Sequence, residues 1–318
     1  MNEPRYLGFI PLFAIFGLLL FSGCVTTGSN KSQVGGKGIV ITDFSSSREE
    51  VTGMNRHVSI YMGIENEGGY ATDKVLMCLI GSFGKTSEGM WELDDQQCFK
   101  AERTLEAADP VNNLPGGSAR ASWDLKSPWI PYPEERKDEF TGRVYYLYKS
   151  KTTAQIWVYS ETEIEAEKQR GKKVSSVGEQ TKTYGPVEID ISTPELIRAE
   201  DGFFTVKITV SNLGNGVVFD STGINWDSNS PPNLPVDKLN VVKLSFSYPT
   251  SELQLEACDK EIELKKGETR TISCDFKILH PEKITTKRMF PITIETEYGY
   301  YVDSTLTITI YGKKGETP

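Results

Sequence analysis

From Lys37 onward, apolar residues recur mostly at every second position. His57-Val-Ser-Ile-Tyr-Met-Gly-Ile-Glu65 and Phe203-Phe-Thr-Val-Lys-Ile-Thr-Val-Ser211 are the clearest cases. A period of two sends alternate side chains to opposite faces, so each stretch predicts a half-buried strand. Turn residues stop both, at Asn66-Glu-Gly-Gly69 and Asn212-Leu-Gly-Asn-Gly216. The first half predicts further strands over 38–44, 74–80, 98–105 and 119–125, with 143–148 and 153–159 forming a hairpin. The second half predicts strands over 187–191, 241–248, 269–278, 291–297 and 305–311.

The two series run in the same order, about 150 residues apart, which is the signature of an internal repeat. Leu114-Pro-Gly-Gly117 with Asp124-Leu-Lys matches Leu264-Lys-Lys-Gly267 with Asp275-Phe-Lys. Val144-Tyr-Tyr matches the Tyr-rich stretch from Tyr298 to Val302. Alternating strands of this kind bury one face each by packing two sheets together. The expected fold class is therefore all-β, as two tandem β-sandwich domains over 37–159 and 186–312, with a tail at 313–318. Between them, Ser160 and Glu163 form a capping box, acids precede bases, and Gly171 suits a C-terminal stop. A short helix and a flexible linker are expected over 160–185. An acidic loop is the alternative, because the segment has little apolar stripe.

At these residues the chain resembles the Ig-like domains of prokaryotic cell-surface proteins, nearest the CARDB group (cell-adhesion-related domain). In that group the second strand ends in an Asn-x-Gly-Asn turn, and a later Leu-x-x-Gly turn opens a Thr-rich strand. Asn212-Leu-Gly-Asn215 and Leu264-Lys-Lys-Gly-Glu-Thr269 match it. The first repeat departs at Gly69, where the second Asn is missing, and its middle is expanded. The resemblance implies the Ig-like fold; short turn signatures speak to fold rather than function.

One stretch breaks the alternation. Leu7 to Phe21 is apolar and uncharged, behind a short head in which Glu3 offsets Arg5. It has the parts of a secretory signal. Phe21-Ser-Gly-Cys24 resembles the lipobox of prokaryotic lipoproteins, whose peptidase cuts before the cysteine and whose thiol carries the lipid. That implies a signal peptide over 1–23 and a lipidated Cys24 on a flexible leash over 24–36. The alternative is an uncleaved anchor, but the apolar run is short of the roughly 20 residues a spanning helix needs, and it contains Pro11. Both routes export the chain to the outer face of the cytoplasmic membrane or the cell surface, held to the membrane as its first partner.

Composition narrows the picture. A hydrophobic fraction of 38% with 25% charged residues is globular rather than disordered. The net charge of −9 argues against nucleic acid as a partner. With Cys24 set aside, four cysteines remain: Cys78 and Cys98 in one repeat, Cys258 and Cys274 in the other. In an exported chain they read as disulfides; three pairings are possible, and the in-repeat pairing is the expected one. Zinc is the rival, yet there is no Cys-x-x-Cys, and His57 and His280 are the only histidines.

Candidate sites are few. Trp129 and Tyr132 sit in Trp129-Ile-Pro-Tyr-Pro133, a proline-stiffened loop suited to stacking on sugar rings or gripping a protein. The same loop could simply pack over its own sandwich edge. Trp226 is a further aromatic candidate. Around it, Asp220, Asn225, Asp227 and Asn229 alternate oxygen ligands as calcium requires, although Ser230 and Val236 stand where an EF-hand needs Gly and Glu. A polar turn before Pro231-Pro232 is the plain alternative. Asn30-Lys-Ser32 is a glycosylation sequon. No nucleophile, phosphate-loop or zincin motif occurs, and no cofactor is expected. The expected function is a non-catalytic binding, adhesion or scaffold module of the envelope, with a protein or glycan partner. An accessory subunit of a secretion, pilus or transport machine is the alternative. A carboxylate-pair hydrolase of surface polysaccharide comes third.

Overall fold

A computed structural model describes residues 36–110 and 112–318. Cys24, Asn30, the signal segment and nearly all of the leash lie outside the described residues. The first half contains β1 (Ile39–Ser46), β2 (Glu50–Thr52), β3 (His57–Asn66), β4 (Val75–Ile80), β5 (Glu92–Leu93), β6 (Cys98–Lys100), β7 (Ser118–Lys126) and β8 (Glu135–Tyr159). A helix, α1 (Glu161–Gln169), follows. The second half contains β9 (Val177–Lys182), β10 (Val187–Ser192), β11 (Phe203–Asn212), β12 (Val217–Phe219), β13 (Val241–Lys243), β14 (Ser245–Ser247), β15 (Leu253–Ala257), β16 (Glu261–Glu263), β17 (Thr269–Ile278) and β18 (Lys287–Tyr311).

The all-β sandwich class is borne out. One four-stranded sheet has the order β1-β3-β7-β5, and its counterpart has the order β10-β11-β17-β15. Both cover the same face of an eight-stranded sheet built along β12-β18-β8-β4-β6. Alternate residues of the long strands point into that interface: Phe140, Val144, Ala154, Ile156 and Val158 from β8, and Phe290, Ile292, Ile294, Ile308 and Ile310 from β18.

The repeats share strands. β8 and β18 pair antiparallel along their whole length, from Glu135 opposite Tyr311 to Tyr159 opposite Lys287. The first part of β8 pairs β4, and the end of β18 pairs β2, in the first sandwich. The last part of β8 pairs β9, and the start of β18 pairs β14, in the second. Each repeat therefore contributes the end of its last strand to the other repeat's sandwich, and the described residues form one compact unit.

Two local expectations change for this reason. The hairpin expected between 148 and 153 is a straight run of β8. Lys149-Ser-Lys-Thr152 contains no Gly, Pro or Asn to turn it, and the inward hydroxyls of Ser150 and Thr152 donate to the carbonyls of Val187 and Ile189 at 2.5 and 2.7 Å. The expected linker contains β9, and Lys182 binds Glu188 at 2.9 Å and also Asp190. The helix is where the capping box places it. Ser160 Oγ accepts the Glu163 N–H at 3.3 Å, and Gly171 takes a positive φ of 71° beyond its C-terminus.

The shared strands cross at a local two-fold centred on Leu147 opposite Gly299. Tyr146 stands opposite Tyr300 and Tyr148 opposite Tyr298, and their four buried rings contact one another with centroids 5.6 to 6.3 Å apart. We call this crossing the waist. Both disulfides form in the expected pairing, Cys78–Cys98 across β4 and β6 and Cys258–Cys274 from β17 to the chain after β15. They suit an oxidising compartment. Among the described residues, no helix is long and apolar enough to cross a membrane.

Candidate binding surface

The sequence-selected residues do not converge. Trp226 is 9% exposed and closes a second apolar cluster, on the far face of the long sheet, with Leu76, Tyr145, Leu147 and Phe219 around the Cys78–Cys98 disulfide. That face is apolar, so the chain between β12 and β13 folds over it and uses Trp226 as a plug. Trp129 is half-buried, and its indole N–H donates to the Glu316 carbonyl at 3.2 Å. It packs against Glu316, while Tyr132 stays exposed on that loop between the exposed Pro131 and Pro133.

The calcium candidates are occupied otherwise. Asp220 binds Lys243 Nζ at 2.7 Å and accepts from the Thr222 hydroxyl at 2.6 Å, which holds its carboxyl well below the usual range. Asp227 binds Lys100 at 2.6 Å. Asn225 Oδ1 caps the Asp227 N–H at 3.1 Å, and the Asn229 carbonyl accepts from the Cys98 N–H at 3.1 Å. Among the described residues, no group of three or more His, Cys, Asp or Glu could hold a metal.

A different surface emerges at β7. Among the described residues, its only strand neighbour from Ser118 to Asp124 is β3; β5 reaches only Leu125 and Lys126. In an antiparallel pair, alternate residues turn both backbone groups away from the neighbour. The Asp94 N–H bonds the Asp124 carbonyl on the β5 side at 3.0 Å, so Arg120 and Ser122 also present their N–H and C=O to that open side. The chain leaves the edge here because residues 94–97 cross to the opposite sheet, where β6 pairs β4.

A groove of about 520 Å³ opens beneath this edge, floored by Met77, Phe99, Leu105, Ala119 and Ala121. Small side chains make the room. Ala121 pairs Met62 on β3, whereas at the corresponding place in the second repeat Ile272 pairs Ile208 on β11. A second cleft of about 500 Å³ lies across the strand, where Arg120, Asp43, Ser45 and the 45%-exposed Tyr61 meet. Chemically, this is an unfilled strand position over a mixed slot, apolar on its floor and rimmed by Asp95, Lys100, Glu102 and Arg103, with polar groups above. Sequence reasoning missed it, because an edge is a fact about which strands are absent. The pair of alanines in an otherwise bulky alternation was the one local signal.

The waist carries the other buried polar network. Asn66 Nδ2 donates to the Tyr70 carbonyl at 2.8 Å, and the Tyr70 N–H donates to the Tyr148 hydroxyl at 3.1 Å. Its counterpart is closer: Tyr300 donates to Asn212 Oδ1 at 2.8 Å and accepts from the Gly216 N–H at 3.0 Å. The Tyr298 hydroxyl accepts from the Val187 N–H at 3.2 Å, and the Tyr146 hydroxyl is bonded by the Ile39 backbone. Burial raises all four phenols, Tyr300 up to about 12. Every hydroxyl is satisfied by backbone or by Asn, so this network is structural.

No protein-family model matches the chain, and no curated protein matches it in sequence. Solved structures similar to it include elastase-activated α2-macroglobulin of Escherichia coli, with 9% identity and a TM-score of 0.21 over 86% of this chain. The chain spans 32% of the length of that protein. The C-terminal domain of the antigen I/II-family protein AspA of Streptococcus pyogenes has 9% identity and a TM-score of 0.15, covering 87% of this chain and 99% of that one. That of the BspA polypeptide of Streptococcus agalactiae also has 9% identity and a TM-score of 0.15, covering 86% and 99%. These scores are low, and the fold described above rests on its own strand register.

Proposed function

We propose that this protein is an exported, lipid-anchored module of the cell envelope that binds a partner and carries out no chemistry itself. The lipobox-like Phe21-Ser-Gly-Cys24 and the CARDB-like turns support export and a surface role. Two disulfides agree with the compartment. The observation that carries the binding role is the open β7 edge over a groove with an apolar floor and a charged rim, which suits an extended amphipathic segment added as a strand. Strand addition also favours the second reading, an accessory subunit that docks on an envelope machine.

Crosslinking in intact cells through a C-terminal tag tests this. The Ser122→Pro variant removes one N–H from the open side only, and an edge strand tolerates proline there. Neighbours that return in fixed ratio with the wild type and vanish with Ser122→Pro support the binding edge. Machine subunits among them select the accessory reading; surface protein or glycan selects the scaffold. Neighbours unchanged by Ser122→Pro remove β7 from the function. A Cys24→Ser chain that still fractionates wholly with membranes at processed size removes the lipid anchor.

A further inference from the structure

The tether enters this fold at its middle. Gly36 is the first described residue, and its N–H donates to the Gly185 carbonyl at 3.1 Å, just ahead of β10. Its Cα lies against Leu213, in the turn after β11, and Gly38 lies against Pro186 and the Tyr146 hydroxyl. All of these are waist positions, beside the ring cluster where β8 and β18 cross. A leash followed by two domains in series would hold the body by one end. Here the shared strands run to both sides of the attachment point.

Lengths decide what this means at a membrane. At about 3.3 Å per residue, the paired 25-residue strands run roughly 80 Å, with the waist halfway. From Cys24 to Gly36 the chain advances twelve residues, which span at most about 43 Å whatever their conformation. An upright body would hold its waist roughly 40 Å above the lipid and need that whole span pulled straight. Lying along the surface needs almost none of it.

The waist also exposes apolar groups around the entry point. Tyr184 and Leu213 are 45% and 44% exposed. They flank Gly36 through Gly185 on one side and direct contact on the other. A tyrosine with an apolar body and a polar tip suits the boundary between headgroups and acyl chains. Beside Gly36, Lys37 is neutralised by an ion pair with Glu67.

Resting on the lipid-anchor reading above, we propose that Tyr184 and Leu213 seat the waist on the phospholipid surface. The long strands then lie parallel to the membrane, and both ends of the fold, with the β7 edge, stay open to partners. The test uses the full, processed protein on bilayers of phosphatidylethanolamine and phosphatidylglycerol, read by co-sedimentation and by neutron reflectometry. Wild type should co-sediment and form a protein layer far thinner than the roughly 80 Å of an upright body. Tyr184→Ser with Leu213→Ser should remain bound while its layer thickens. Bound protein with a layer near 80 Å, or a double variant whose layer is unchanged, overturns the seating and leaves the anchor intact. Failure of the wild type to co-sediment overturns the anchor and the seating together.

Discussion

Asn66 and Asn212 do the same task in the two repeats: each ends its strand and turns its amide inward to the waist. Removing the amide leaves buried groups without partners, which costs about 1–3 kcal/mol per group. Asn66→Ala should therefore lower stability in a urea titration by more than Asn212→Ala, because Asn66 bonds the carbonyls of Tyr70, Leu105 and Glu106 at 2.8 to 3.1 Å and the Gly68 N–H at 3.2 Å, whereas Asn212 bonds the Tyr300 hydroxyl at 2.8 Å and the Gly216 carbonyl at 3.3 Å. Trp226→Ala empties the plug over the Cys78–Cys98 disulfide and should cost about 3–5 kcal/mol in the same titration. Turn chemistry at both Asn residues was legible, because Asn and Gly in sequence end a strand. Their burial was not, since turn asparagines are ordinarily solvated and the tyrosines above them are some 80 residues away in the chain. Trp226 misled for the mirror reason: a polar-flanked Trp reads as exposed unless the apolar sheet face beneath it is known.

The helix α1 has a weak apolar stripe and is held at single points. Ser160 caps it, Ile164 is buried, and Glu167 gathers Arg170, Lys172 and Lys287 at 3.3, 3.4 and 3.7 Å. Burial alone would raise the Glu167 carboxyl, but Lys172, Lys287 and Arg170 together hold it below the ordinary value. A carboxyl lowered in the folded state stabilises above its unfolded value, and that stability is lost as pH falls through the folded one. The protection of the α1 amides, corrected for the intrinsic pH dependence of exchange, should therefore fall on acidification before that of the sheets, and Glu167→Gln should show low α1 protection already at neutral pH with little further change on acidification. The disulfide pairs are elements of the same kind. Loops of 20 and 16 residues constrain the unfolded chain by about 3 kcal/mol each, so Cys78→Ala with Cys98→Ala should lose about that much on thermal unfolding. Their pairing was legible because each repeat holds one pair. The β7 groove was not, because strand β5 stops after two residues only where the chain must cross between sheets.

At the scale of the molecule, strand exchange makes the two repeats one folding unit. A protease site placed between Gly171 and Ser175 and then cut should leave both pieces co-eluting until denaturant separates them. Separation of the pieces under native conditions would refute the shared ribbon. The waist also sets an alkaline limit. Its phenols stay neutral in the fold while unfolded tyrosines ionise near pH 10, so stability falls as pH rises above about 10. A tyrosinate absorbance titration should show a late group that ionises only as the sheets unfold.

The alternation of apolar residues determined the longer strands, their order and the repeat, because a period of two is imposed locally by backbone geometry, whereas β2, β5, β9, β12, β15 and β16 lie outside every stretch it marked. Cysteine count and spacing determined the disulfides, and the capping box determined α1. Only tertiary structure decided which sandwich each strand completes. The apolar faces of β8 and β18 run on past the end of one sandwich, and burial against the neighbouring repeat is equally satisfied by a turn back or a straight run. The lack of a turn residue in Lys149-Ser-Lys-Thr152 permits the straight run but does not say which sheet receives it, and that choice brings the tyrosines together, places Gly36 at the waist and leaves the β7 edge open.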